Sequence, residues 1–308
     1  MTWFVGATQP HMVLVVWMAR FTQSKYAGSD KFIVASQALC MLVRVGCQFE
    51  YETIELTPSL WQVRPHPQGE HRIVAQTWEP PAPARTYLDA FGNECDRVNL
   101  PPGRSVMRYD ATVEVLAHPD EANRGAVAVA LEDLPDEAFV YLLPSRFCWP
   151  DTLHDAAWEL FESVEPGWLR VQAVCDWIHD EIRYEVGAST AVTTAYDVWQ
   201  SRVGVCRDLT HLGITLCRAL NVPARYVAGY LPDIDVIPPD LPMDFCSWFE
   251  AWLDGRWWTF DPRNNERRRG RVVIARGRDA LDAAMVTTWG AAELRLMTVW
   301  ADEVTDVG

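Results

Sequence analysis

The stretch GVCRDLTHLGITLCRALNVPARYVAGYL, residues 204–231, constrains the fold more than any other part of the chain. Leu209, Leu212, Leu216 and Leu220 line one face of a helix that begins at Cys206, and Asn221-Val222-Pro223 stops it. After it, ARYVAGYL, CSWFEAWLDG and RWWTFDP read as strands, the last two joined by Asp254-Gly255, a strong short hairpin signal. Before it, EPGWLRVQAVCDWIHDEIRYE carries apolar residues at 168, 169, 171, 174, 177, 178 and 182, a helical stripe. The segment TTAYDVWQSRVG predicts a further helix ending at Gly204. Helices followed by antiparallel strands make this half of the chain an α+β domain.

The other half has a different texture. From Met41, the residues Val43, Val45, Cys47, Phe49 and Tyr51 alternate with polar neighbours, the period of a half-buried strand. Short alternating segments continue to about residue 118, punctuated by RPHPQGEHR, EPPAPAR, DAFGNECDR and LPPGRS. The expected organisation is an extension over 1–40, a β-rich domain over 41–120 and an α+β core domain over 121–308. The extension shows no clear periodicity, and a start site upstream of the native one is one explanation for it.

A formal net charge of −15 excludes nucleic acid or an anionic membrane as the default partner, since both demand basic surface. Residues 12–19, MVLVVWMA, are too short to span a bilayer and lack a basic leader, so neither a membrane span nor a signal peptide is expected. Eight cysteines without a CxxC pair predict reduced thiols and a cytoplasmic location.

Cys206 opens its helix, where unpaired N–H groups and the positive end of the dipole favour thiolate over thiol. Its own N–H can face an oxyanion on a substrate carbonyl. Acyl chemistry would then need a base beside the sulfur and a group to orient that base.

In spacing and wording, GVCRDLTHLGITLCRALNVPARYVAGYL resembles the nucleophile motif of the bacterial transglutaminase-like superfamily, papain-like cysteine peptidases, amidases and acyltransferases. WFEAWLDGRWWTFDPRNN resembles that family's strand pair, RGRVVIARGRDALDAAMVTTWG its tail, and the stretch from Met41 its β-rich N-terminal domain. The resemblance covers about residues 41–300. It implies a cysteine-bearing helix packed on an antiparallel sheet, with Cys206 as nucleophile and Asp261 as orienting carboxylate. The implied activity is attack on an amide of a peptide, protein or small molecule through a thioester, without a cofactor. No EF-hand-like acidic loop calls for calcium. Where the family has histidine before Ala-Trp, this chain reads Cys246-Ser247-Trp248. The alternative to an enzyme is a catalytically silent relative that binds a peptide or protein partner in the same cleft.

Cys246 admits four readings: an inert filler, a partner in proton relay, a reversible disulfide partner of Cys206, or a zinc ligand with Cys206 and Asp261. His211 sits about 140° around the helix from Cys206 and is expected to pack instead. His179 is an alternative base. His66, His71, His118 and His154 are expected at the solvated surface. Asp208 and Arg207 suit a helix cap or an ion pair, and Tyr230, Trp248 and Trp258 suit the core more than a cleft. NERRRGR, residues 265–271, reads as a solvated basic turn. Nothing in the sequence sets the oligomeric state.

Overall fold

The computed structural model describes residues 40–238 and 240–305. The extension expected over 1–40 lies outside the described residues except for Cys40. Strand β1 (Cys40–Thr53) buries Val43, Val45, Cys47, Phe49 and Tyr51, the set picked out by alternation. It pairs antiparallel with β6 (Gly103–Leu116), which pairs in turn with β3 (His71–Glu79). A second sheet joins β2 (Thr57–Trp61), β5 (Glu94–Leu100) and β4 (Ala84–Leu88). The Pro-rich segment after Glu79 is the connection between β3 and β4.

Residues 286–303, placed with the core by sequence, supply one strand to each of these sheets. Strand β14 (Ala292–Glu303) pairs along the free edge of β1, and β13 (Val286–Thr288) pairs with β2. The physical reason is edge closure: the open edge of β1 would otherwise present a row of unsatisfied backbone groups.

The helices follow the second loop region. They are α1 (His154–Phe161), α2 (Trp168–Glu181), α3 (Ala195–Ser201) and α4 (Cys206–Ala219). Helix α3 ends before the expected Gly204. Arg202 turns left-handed at φ 59° with its guanidinium over Trp177 and Trp199, 4.8 and 4.3 Å from the ring centroids. The next residues form β8 (Val203–Gly204), parallel to β7 (Arg183–Tyr184). Asn221, left-handed at φ 60°, terminates α4, with Val222 N–H donating to Cys217 O at 2.9 Å.

A third sheet has the order β11 (Arg256–Phe260), β10 (Cys246–Leu253), β9 (Ala224–Tyr230) and β12 (Val272–Gly277). The β10–β11 hairpin turns at Asp254-Gly255, both at positive φ as that turn requires. Helix α4 is buried from Asp208 to Ala219 and packs on β10 and β9. Their closest approach uses Gly213, where a Cβ would sit 2.7 Å from Phe249 Cε1. Gly213→Ala is therefore expected to destabilise the protein by about 1–2 kcal/mol. Overpacking of about 1–3 kcal/mol outweighs the gain in helix propensity of about 1 kcal/mol. A lowered urea midpoint with an unchanged slope would be the sign; a raised midpoint would contradict tight helix–sheet packing.

Candidate active site

Helix α4 begins at Cys206 because Val205 is extended and Asp208 Oδ2 accepts the Val205 N–H at 3.0 Å. Asp208 is fully buried, and Arg207 holds its Oδ1 with Nη2 at 2.7 Å and Nε at 3.0 Å. Both the cap and the ion pair expected of these residues are present. Arg207 Nη2 also donates to Thr190 O at 2.8 Å, tying the loop after β7 to the start of the helix. Gly204 matters here for space: a Cβ would lie 2.9 Å from Asp208 Cβ.

The start of α4 leaves backbone N–H groups without intrahelical partners, that of Cys206 among them. Cys206 is partly exposed, and its Sγ lies 4.0 Å from Phe245 O, beside the first residue of β10. The two cysteines are thus brought together. Hydrogen bonding from the Cys246 thiol is the largest influence on Cys206 and lowers its pKa to about 7. Burial opposes that shift, while the Arg263 guanidinium and Ser247 add to it. Cys246, buried, is driven well above an ordinary thiol, first by hydrogen bonding to Cys206 and then by burial and the charge on Cys206. One thiolate, on Cys206, is the favoured charge state of the pair.

Asp261 hydrogen-bonds neither sulfur, though its charge adds to the rise of Cys246. Its Oδ1 accepts from the N–H of Arg263 at 3.1 Å and of Asn264 at 3.0 Å. Its Oδ2 accepts from Asn264 Nδ2 at 2.8 Å and Arg271 Nη2 at 2.9 Å. Burial works against its charge, but Arg271 and Asn264 hold its pKa below the ordinary carboxylate value. Four donors fill the roughly four acceptor positions of a carboxylate. Arg271 also chelates Asp120 through Nε and lies over Trp248, 4.6 Å from the ring centroid.

No histidine hydrogen-bonds either sulfur among the described residues. His211 is buried, accepts Ala280 N–H at 3.1 Å and stacks on Phe147, so it packs. His179 is exposed, with Nδ1 3.0 Å from Arg263 O. His66 is buried rather than solvated, and burial lowers its pKa to about 4. Tyr230, Trp248 and Trp258 are buried, as core residues. The basic run 265–271 is also corrected. Arg268 is buried and bonds Pro232 O and Asp233, and Arg271 bridges Asp120 and Asp261, so these arginines are interior counter-ions. Composition hid this, since Asp120 and Asp233 lie far away in sequence.

Sequence reasoning also missed Arg263 and Tyr184. The Arg263 guanidinium carbon is 4.3 Å from the Tyr184 ring centroid. Tyr184 pairs with Gly204, two residues before Cys206. Arg263 is two residues beyond Asp261, a position that could have been flagged as the only cation in the tight turn over 262–264. Among the described residues no group of three His, Cys, Asp or Glu side chains is arranged to hold a metal. No helix there is long and apolar enough to cross a membrane. A cavity of about 710 Å³ opens on the face of the third sheet away from α4, lined by Arg225, Trp248, Glu250, Arg271 and Arg276 among others. Cys206 is not part of its lining.

Comparison with known proteins bears on this geometry. Residues 157–262, the segment from α1 through Asp261, match the transglutaminase-like superfamily model. An uncharacterized protein of Mycobacterium leprae (strain TN) is 32% identical over 117 residues, 37% of this chain and 42% of that protein. One from Mycobacterium tuberculosis (strain H37Rv) is 34% identical over 114 residues, 34% of this chain and 36% of that protein. The chain thus spans well under half the length of these curated relatives. Among solved structures, a candidate cysteine protease from Cytophaga hutchinsonii is 30% identical, with a TM-score of 0.78 over 87% of this chain and 93% of that one. A cysteine-headed helix on an antiparallel sheet, a β-rich partner built around β1 and a relative aligned over nearly its whole length lead to one assignment: this chain belongs to the transglutaminase-like superfamily.

Proposed function

We propose that the protein is a cysteine enzyme acting on amide bonds, with Cys206 as nucleophile and Cys246 standing where the customary histidine would be. The observation that carries this reading is a partly exposed Cys206 at the start of a helix, with a thiol donor beside its sulfur. In the reaction, the thiolate forms a bond to the substrate carbonyl carbon while the oxyanion faces the free N–H groups of the helix start. Collapse expels the amine with a proton drawn from solvent. The resulting thioester passes its acyl group to water or to a second amine. No cofactor enters this sequence. Exposed Val186, Val192 and Ile237, on the loops that precede the two cysteines, suit a peptide or protein substrate. Eight unpaired thiols fit a reducing compartment such as the cytoplasm.

One observation favours a second reading, a catalytically silent binder: Asp261 has no acceptor position left for a base, and among the described residues no imidazole hydrogen-bonds either sulfur. Iodoacetamide alkylation followed from pH 5 to 10, with the adduct located by mass spectrometry, separates the two. An enzyme primed as described has a Cys206 midpoint near pH 7 and forms an acyl adduct with an activated ester, absent in Cys206→Ala. A midpoint at the free-thiol value of about 8.5, with no adduct, favours the binder. Cys246→Ala should raise the midpoint by about 1–2 units, the worth of a hydrogen bond to a charged group, roughly 1.5–3 kcal/mol. An unmoved midpoint would remove Cys246 from the account.

A further inference from the structure

Arg263 is a cation with no carboxylate of its own. Among the described residues it forms no ion pair, and its guanidinium makes no hydrogen bond. Its backbone is fixed at both ends, by the N–H to Asp261 Oδ1 at 3.1 Å and by the carbonyl against His179 Nδ1 at 3.0 Å. Its side chain lies half-buried on the face of Tyr184. Tyr184 is in turn held against Gly204 in the β7–β8 pair, and Glu185 N–H donates to Gly204 O at 3.0 Å. Two residues further on, the chain reaches Cys206. This succession of contacts puts a guanidinium beside the nucleophile, on a rigid aromatic support, with its donors unspent. The contrast with Arg207, Arg268 and Arg271 is sharp, because each of those is engaged by a carboxylate. The nearby Asp244 does not fill the vacancy: its Oδ1 accepts from the following amide, Phe245 N–H, at 2.7 Å, and it makes no ion pair.

We propose that Arg263 selects substrates carrying a carboxylate close to the carbonyl that Cys206 attacks, receiving that carboxylate on its free guanidinium edge. An Arg fork binds a carboxylate through two parallel N–H donors, which fixes orientation as well as position. A half-buried guanidinium that stacks on a ring keeps those in-plane donors open, because the ring occupies only its face. The acidic balance of the whole chain makes this isolated cation a local exception, so an anionic substrate would be oriented by the site and not by the general field.

The inference rests on Cys206 being the nucleophile, and the test reads the two separately. Alkylation of Cys206 is followed with neutral iodoacetamide and with iodoacetate, which carries a carboxylate one bond from the reacting carbon. Both are run at pH 9.5, where the thiolate is fully formed, and N-acetylcysteine serves as the free-thiol reference. The iodoacetamide rate reports an accessible thiolate, the basis of the enzymatic reading. The ratio of iodoacetate to iodoacetamide reports the carboxylate site. The expected ratio is about tenfold or more above that of N-acetylcysteine, roughly 1.4 kcal/mol for one ion pair. It should fall to the reference value in Arg263→Gln and decline with added salt. A ratio equal to the reference, or an enhanced ratio that survives in Arg263→Gln, overturns the proposal even if Cys206 alkylates quickly. Protection from iodoacetamide distinguishes the source of the carboxylate. Protection by N-acetylalanine assigns it to a chain terminus, and protection by N-acetylglutamate α-amide assigns it to an acidic side chain. Protection by neither counts against the site.

Discussion

Replacing Cys246 by histidine is expected to raise amide or ester turnover by about 10²-fold, and adding Asn264→Ala to raise it further, toward about 10⁴-fold. General acid–base help from a positioned imidazole is worth about 10²- to 10⁴-fold, and no imidazole among the described residues hydrogen-bonds Cys206. The reason for two steps is the state of Asp261. Arg263 N–H, Asn264 N–H, Asn264 Nδ2 and Arg271 Nη2 already fill its acceptor positions. An imidazole at position 246 would therefore stand beside the sulfur without an orienting carboxylate. Removing the Asn264 amide vacates one position on Oδ2 and leaves Arg271 and the two backbone donors in place. The measurement is steady-state turnover of an activated ester and an anilide, with Cys206→Ala as background and thermal unfolding as the check on folding. Equal activity in the single and double variants would mean that Asp261 does not reach a base at that position. No gain in either folded variant would mean that more than the base is missing.

Glu250→Ala is expected to lower the unfolding free energy by about 3–5 kcal/mol, because it strands two interior guanidinium groups. The buried carboxylate accepts from Arg225 Nε at 2.5 Å and from Arg276 Nε and Nη2 at 3.1 Å each. Arg225 is also stacked on Trp257, 4.1 Å from the ring centroid, so it cannot swing out to water without losing that contact. Burial alone would raise the Glu250 pKa, but Arg276 and Arg225 together hold it down to about 2. The folded value lies below the unfolded value of about 4.3, so the charged form contributes its full stability above that pH. That contribution declines as pH falls from about 4.3 through about 2. The protective carboxylate is lost in acid, and the gap between the protein and Glu250→Gln should narrow below about pH 4. Denaturant midpoints from pH 7 down to 2.5 give the measurement. A constant gap over that range would show that the arginines depend on the shape of residue 250 and not on its charge.

The sequence made the local architecture legible to a useful depth. Alternation from Met41 identified the buried face of β1, and the leucines after Cys206 identified α4. Asp254-Gly255 gave the β10–β11 turn, and Asn221 the end of α4. These signals are readable because they follow from backbone geometry over a few residues: two per strand repeat, 3.6 per helical turn, and a positive φ at a turn. The candidate site was legible as far as its chain positions go, Cys206 at a helix start, Cys246 at the head of one strand and Asp261 at the end of the next.

Three features were decided only in the tertiary structure. Strand β14 closes the edge of β1 although 239 to 260 residues separate their pairing partners, Val43 with Glu303 at one end and Thr53 with Ala292 at the other. The basic run after Asn264 looks like a surface turn until Asp120, Asp233 and Asp261 come around it. The charge state of the two cysteines depends on Arg263 and on each other, and neither influence is encoded by neighbours in sequence. Hydrophobic periodicity is a property of consecutive residues, so one chain reports it. Ion pairing, hydrogen-bond saturation and edge closure depend on which distant groups come within a few ångströms after folding. That is why the place of Cys206 at a helix start was written in the sequence, and the exhaustion of Asp261 and the freedom of Arg263 were not.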